Sequence, residues 1–163
     1  MSEEKDAVDA ITAQWFAVRP ELDTAPMAVF GRIYRIAKAM GDAMEERYQR
    51  FGLSRGEFDV VGTLRRSGAP YTLSPRQLSA TLMLTTGGMT GRLDKLEKAG
   101  LLSRKPDPHD RRGLQVTITD RGLALVDEAV TAGLEVQRAA LTGLSDEEVA
   151  QLTGLLRKLM AGV

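Results

Sequence analysis

Arg111 and Arg112 end the stretch Lys105-Pro106-Asp107-Pro108-His109-Asp110-Arg111-Arg112-Gly113, which has two prolines for stiffness and a glycine for a turn. An arginine carried on such a tip is the side chain that a narrow, strongly negative DNA minor groove attracts. Asp110 is placed to hold Arg112 through a carboxylate–guanidinium pair. Upstream, Thr85, Thr86, Gly88 and Thr90 set hydroxyls and small side chains near a helix start, with Gly87 and Gly91 also facing outward. Small polar residues suit close approach to base edges, and free N-terminal amides suit phosphates. Arg104 completes this candidate DNA-binding set. Taken singly, the hairpin reads equally as a solvated charged loop and the helix as an ordinary amphipathic one. His109 is the sole histidine, and a loop tip is a place for a solvated side chain.

A second constellation lies earlier. Asp59 and Arg66 are seven residues apart, which sets them on one helical face two turns, or roughly 10 Å, from each other. That spacing predicts no direct pair. Gly62 and Thr63 fall between them on that face, and a glycine inside a helix costs about 1 kcal/mol relative to alanine. A carboxylate and a guanidinium flanking a hollow could clasp a flat polar molecule, with the arginine as an anion site. The plainer alternative is two solvated side chains. No Ser-His-Asp set can be built around one loop histidine, no metal-ligand cluster is present, and no glycine-rich phosphate loop follows a strand. The expectation is therefore no catalytic residue, no metal and no cofactor.

These residues need elements to position them. Val8, Ile11, Trp15 and Val18 form a helical stripe over Glu3 to Val18, which Arg19-Pro20 ends. Thr24 is a candidate cap for a helix from Met27 to Phe51 with Phe30, Ile33, Ala37, Met40, Met44 and Tyr48 on one side. Ser54-Arg55-Gly56-Glu57 is a capping box opening a third helix, with Phe58, Val61 and Leu64 inward. Ser74-Pro75 starts a short helix facing inward with Leu78 and Leu82. Thr85 is the candidate cap of the next helix, whose Met89, Leu93 and Leu96 face the core up to Lys98. Leu101 to Lys105 and Leu114 to Thr119 read as two strands, the second alternating with Leu114, Val116 and Ile118 inward. Thr119-Asp120 caps a long helix to about Leu141, and the Ser145–Glu148 capping box leads a last helix with Val149, Leu152, Leu156 and Leu159 on one side.

Two short helices followed by a charged hairpin between strands make a mainly α (α+β) fold, a winged helix-turn-helix with N- and C-terminal dimerisation helices. Residues 1–163 form one domain in this reading, with the winged lobe at 53–119 and the pairing helices at 1–50 and 120–163. The long apolar stripes at both ends suit pairing with a second copy. A homodimer matches a palindromic DNA site with half-sites about one turn apart.

Net charge is zero, so bulk electrostatics announces no partner, but the charge is unevenly placed. Met1 to Phe30 holds six acids against two bases, whereas Thr85 to Arg112 holds seven bases against four acids. Cysteine is absent, which excludes disulfides and thiol chemistry. The acidic N-terminus has no apolar signal core and no run approaches a membrane span, so the expectation is a cytoplasmic protein without a membrane partner.

The segments Leu93-Asp94-Lys95-Leu96-Glu97-Lys98-Ala99-Gly100-Leu101, Asp107-Pro108-His109-Asp110-Arg111-Arg112 and Ile118-Thr119 resemble the MarR family of bacterial transcription regulators. The resemblance covers nearly the whole chain. It implies a homodimer on double-stranded promoter DNA, usually a repressor released by a small molecule, with Arg112 in the minor groove. The set Trp15, Asp59, Arg66 and Arg92, with a tryptophan on an extra N-terminal helix, is similar to the ligand set of that family's urate-responsive branch. The resemblance gives Trp15 and Arg66 the role of holding urate, Asp59 that of meeting its charge and Arg92 that of transmitting the change. Phenolic or other aromatic acids are the competing effectors. A dimeric winged-helix adaptor for protein contacts, without ligand sensing, is the alternative function.

Overall fold

The computed structural model describes residues 5–82, 88–108 and 110–163, with 111 and 112 described by backbone alone. The described elements run α1 (Ala7–Val18), α2 (Ala25–Gln49), α3 (Arg55–Arg66), β1 (Thr72–Leu73), α4 (Pro75–Thr81), α5 (Met89–Lys98), β2 (Leu102–Asp107), β3 (Asp110–Ile118), α6 (Asp120–Ala140) and α7 (Asp146–Met160). They fall into two compact units, Met1–Ala43 and Met44–Val163.

In the first unit, α1 opens with a box the sequence reading did not identify. The Asp6 carboxylate accepts from the N–H groups of Val8 and Asp9, and Asp9 accepts from the Asp6 N–H. Arg32 of α2 bonds both acids, at 2.9 Å to Asp6 and 2.7 Å to Asp9. Val8 is buried against Gly31, where a Cβ would stand 3.0 Å from its methyl. The rest of the predicted stripe stays open: Trp15 is 42% exposed, and Ile11 and Val18 are exposed as well.

The second unit is built around α3. Its Ser54–Glu57 box forms as expected, and Val60, Val61 and Leu64 are fully buried. Leu78 of α4, Leu96 of α5, Leu102 and Val116 of the sheet, and Val126 and Ala129 of α6 join them in one core. Each such leucine contributes about 1.5–3 kcal/mol through burial. The sheet is antiparallel in the order β1-β3-β2. Thr119 caps α6 and the Ser145–Glu148 box caps α7.

Three differences from the sequence reading have local causes. Helix α5 does not start behind Thr85: its N-cap is Gly88, whose left-handed φ of 75° cannot lie inside a right-handed helix. Leu114 is 43% exposed although Val116 and Ile118 are buried, because it pairs with Pro106 in the part of the hairpin beyond the core. Strand β1 was not anticipated; two residues carry no period, and they are a strand only through pairing with Thr117 and Val116.

Candidate nucleic-acid interface and effector site

Helix α5 buries Leu93 and Leu96 and turns Thr90 and Gly91 to solvent. Among the described residues no side chain caps its start; the first turn closes through the Gly88 carbonyl, which accepts from the Arg92 N–H at 3.0 Å. Its position is instead set by charged neighbours. Lys95 Nζ lies 3.0 Å from Oε1 of Glu57, a residue only 6% exposed at the start of α3. Burial pushes the Glu57 carboxyl up, but the Ser54 backbone N–H, Lys95 and the Ser54 hydroxyl together outweigh it, so the group titrates below its ordinary value. One turn before Lys95, Arg92 lies across Gly56, with Nε 2.6 Å from the place a Cβ would occupy. Gly56 and Glu57 thus form one joint for two side chains of α5.

On the other side, Arg104 of β2 grips α5. Its Nη2 lies 2.6 Å from Glu97 Oε2 and 2.7 Å from Asp94 Oδ1, and its Nε donates to Glu97 Oε2 at 3.0 Å. The Arg104 backbone N–H donates to the other Glu97 oxygen at 2.9 Å. This guanidinium holds the Glu97 carboxyl below its ordinary value. Of the candidate DNA-binding residues, the structure therefore places Thr90 on the open face of α5, Gly88 at its cap and Arg104 in an acidic clasp. Thr85 and Thr86 lie outside the described residues, as do the side chains of Arg111 and Arg112, and with them the expected Asp110–Arg112 pair. Gly113 lets the hairpin close: a Cβ there would stand 2.9 Å from the Cβ atoms of both Asp107 and Asp110.

At the candidate effector residues, the expectation that Asp59 and Arg66 are too far apart to pair is corrected. Arg66 Nη2 lies 3.8 Å from Asp59 Oδ1, because spacing along a helix measures the backbone and an arginine side chain reaches back over two turns. The same Nη2 donates to the Thr81 carbonyl at 2.8 Å, at the C-terminal end of α4 where a cation is favoured. Asp59 is buried and Arg66 half exposed. Thr63 does not line a hollow between them: it is buried, with its hydroxyl donating to the Asp59 carbonyl at 2.7 Å. A Cβ added at Gly62 would make ordinary contacts, 3.7 Å from the Phe58 ring and 3.8 Å from Arg66 Nη1, so the glycine sits between that ring and the guanidinium.

Sequence reasoning missed the aromatic shelf beside Gly62, where Phe58 stacks on Tyr48 with centroids 3.9 Å apart and planes 13° from parallel. Two apolar stripes on separate helices gave the only signal. Burial, reinforced by Asp59 and opposed by Arg55, pushes the Tyr48 hydroxyl up to about 12. Asp59, Arg66 and Arg92 all belong to the second unit, on α3 and α5, and Trp15 belongs to α1 of the first.

Two short helices, α4 and α5, followed by the β2–β3 hairpin of the three-stranded sheet make a winged helix-turn-helix, an arrangement of DNA-binding proteins. Residues 51–113 match the MarR family. The chain is 40% identical over 152 residues to the HTH-type transcriptional regulator PecS of Dickeya dadantii (strain 3937), covering 93% of this chain and 92% of that one. It is similar to Bordetella bronchiseptica BpsR, whose structure concerns regulation of DNA binding by 6-hydroxynicotinic acid, with 27% identity, a TM-score of 0.69 and coverage of 80% and 91%. Its fold also matches that of a mutant MarR from E. coli complexed with operator DNA, with a TM-score of 0.71 at 23% identity and coverage of 89% and 96%. The chain belongs to the MarR family: it is a DNA-binding transcriptional regulator and, like its relatives, not an enzyme. Among the described residues, no helix is long and apolar enough to cross a membrane.

Proposed function

We propose that this regulator is a homodimeric repressor of a palindromic promoter site, released when a small aromatic anion such as urate occupies the site around Asp59 and Arg66. In this reading 53–119 is the reading lobe, and 1–50 and 120–163 supply the pairing helices. Helix α5 enters the major groove with Thr90, joined by its cap Gly88 and by Thr85 and Thr86 of the segment before it, and Arg111 and Arg112 carry the wing into the minor groove. Pairing is supported by apolar side chains left open within each unit, among them Phe16 and Tyr34 in the first and Leu155 and Met160 in the second.

The observation that carries the effector half is the placement of Arg66. One guanidinium stands beside the buried Asp59 carboxylate, next to Gly62 and near the Phe58 ring, and holds the end of α4 through Thr81. A flat anion seated on the Phe58 shelf would compete for that guanidinium and so act on α4, the helix preceding the reader. Arg92, lying across Gly56 at the start of the same helix α3, gives the ligand a second route to α5. The relation to BpsR favours an aromatic acid as the ligand class. Such a ligand releases DNA only by binding the DNA-incompetent arrangement more tightly.

Binding to the DNA upstream of the protein's own coding region tests the DNA half. Arg112→Ala is expected to weaken it by about tenfold or more and to make it less salt-sensitive by about one charge. Unchanged affinity at fixed salt would remove the wing from the account.

A further inference from the structure

We infer that Arg104 is a positioning residue that fixes the wing to helix α5 as one reading body, and does not itself contact DNA. The inference rests on the reading that α5 and the wing engage DNA together. Arg104 stands in β2 opposite Val116, a fully buried residue, so its backbone is pinned to the core through the sheet. Strand β2 is an edge strand, and an edge has backbone N–H groups with no strand to receive them. The Arg104 N–H is received by Glu97 instead, while the guanidinium takes the other oxygen of the same carboxylate and Asp94 as well. One side chain of α5 is thus held at two points by one residue of the wing. With the guanidinium N–H groups on one Glu97 oxygen and the backbone N–H on the other, the grip fixes orientation as well as distance.

The chemistry argues against a phosphate contact. Two carboxylates face one guanidinium, so the cluster carries net negative charge, and its arginine is 23% exposed in the side chain. A phosphate would have to displace Glu97 or Asp94 to reach it. On the opposite side of α5, Lys95 pairs with Glu57 of α3. The two ion-pair sets form a charged brace that ties α3 to α5 and α5 to β2.

The test measures affinity for a duplex of the DNA upstream of the protein's own coding region, over a range of salt, for wild type, Arg104→Ala, Glu97→Gln and the double variant. Thermal melts show that each variant is folded at the assay temperature. The brace predicts that Arg104→Ala loses about tenfold in affinity while its salt slope stays that of wild type. It predicts that Glu97→Gln also binds more weakly, although removing a negative charge near DNA would by electrostatics alone tighten binding. The double variant should lose no more than the worse single one, because the two residues act as one contact. Glu97→Gln keeps the shape of the side chain and carries the test if Arg104→Ala does not fold.

Three results overturn the inference: unchanged affinity in Arg104→Ala, a salt slope smaller by about one charge in that variant, or tighter binding by Glu97→Gln. A wild-type protein that binds no DNA would instead overturn the function proposed above.

Discussion

Helices α3 and α5 lie side by side in the same core and are held there by opposite means. α3 brings its own stability: a reciprocal cap from Ser54 and Glu57, and a face of Val60, Val61 and Leu64 that sees no solvent. α5 begins at a left-handed glycine with no side-chain cap and buries two residues. Beyond Leu93 and Leu96, its placement rests on Lys95 on Glu57, Arg92 over Gly56, and Arg104 on Asp94 and Glu97. Apolar packing is insensitive to where charges move, whereas ion pairs at a surface are individually weak and can be exchanged. A scaffold helix beside a more adjustable one is what the proposed function asks of this lobe.

The contrast can be broken at either helix. Leu64→Ala removes a fully buried side chain from α3 and is expected to cost about 2–5 kcal/mol in urea unfolding. Lys95→Ala on α5 should cost well under about 1 kcal/mol, since Lys95 is 76% exposed in the side chain, yet weaken DNA binding by loosening the joint. Similar stability losses in both would erase the distinction. Acid sharpens it with a smaller effect. The Glu57 carboxyl titrates below its ordinary 4.5 in the folded protein, so its contribution is complete above that pH and disappears as pH falls through the lowered value. The stability gap between wild type and Glu57→Gln should therefore be constant above pH 4.5 and shrink below it. A gap that grows on acidification would reverse the assignment.

What was readable in advance follows the same division. The caps of α3, α4, α6 and α7 are local patterns of four residues, and the sequence placed them where the structure has them. Period gives Val61 and Leu64 of α3 and Val116 and Ile118 of β3, but it leaves out the buried Val60 and Thr63, overstates Phe58, and fails at Leu114, where the sheet leaves the core. The joints of α5 are not local. Glu57 reads as half of a capping box, and nothing in its neighbours announces Lys95, which lies 38 positions later. Arg104 reads as a basic wing residue until the acids of the preceding helix are seen around it. Arg66 was misjudged because helix spacing omits the length of its side chain, and the Tyr48–Phe58 shelf needs two helices to exist.

The central claim is that the site at Asp59 and Arg66 controls the reader through the start of α3 and the end of α4. The most direct measurement titrates urate into the preformed protein–DNA complex and follows release by fluorescence anisotropy, for wild type and for the Asp59→Ala/Arg66→Ala double variant. The account predicts that urate releases wild type and leaves the double variant bound. Equal release of both, or no release of wild type at saturating urate, would contradict it.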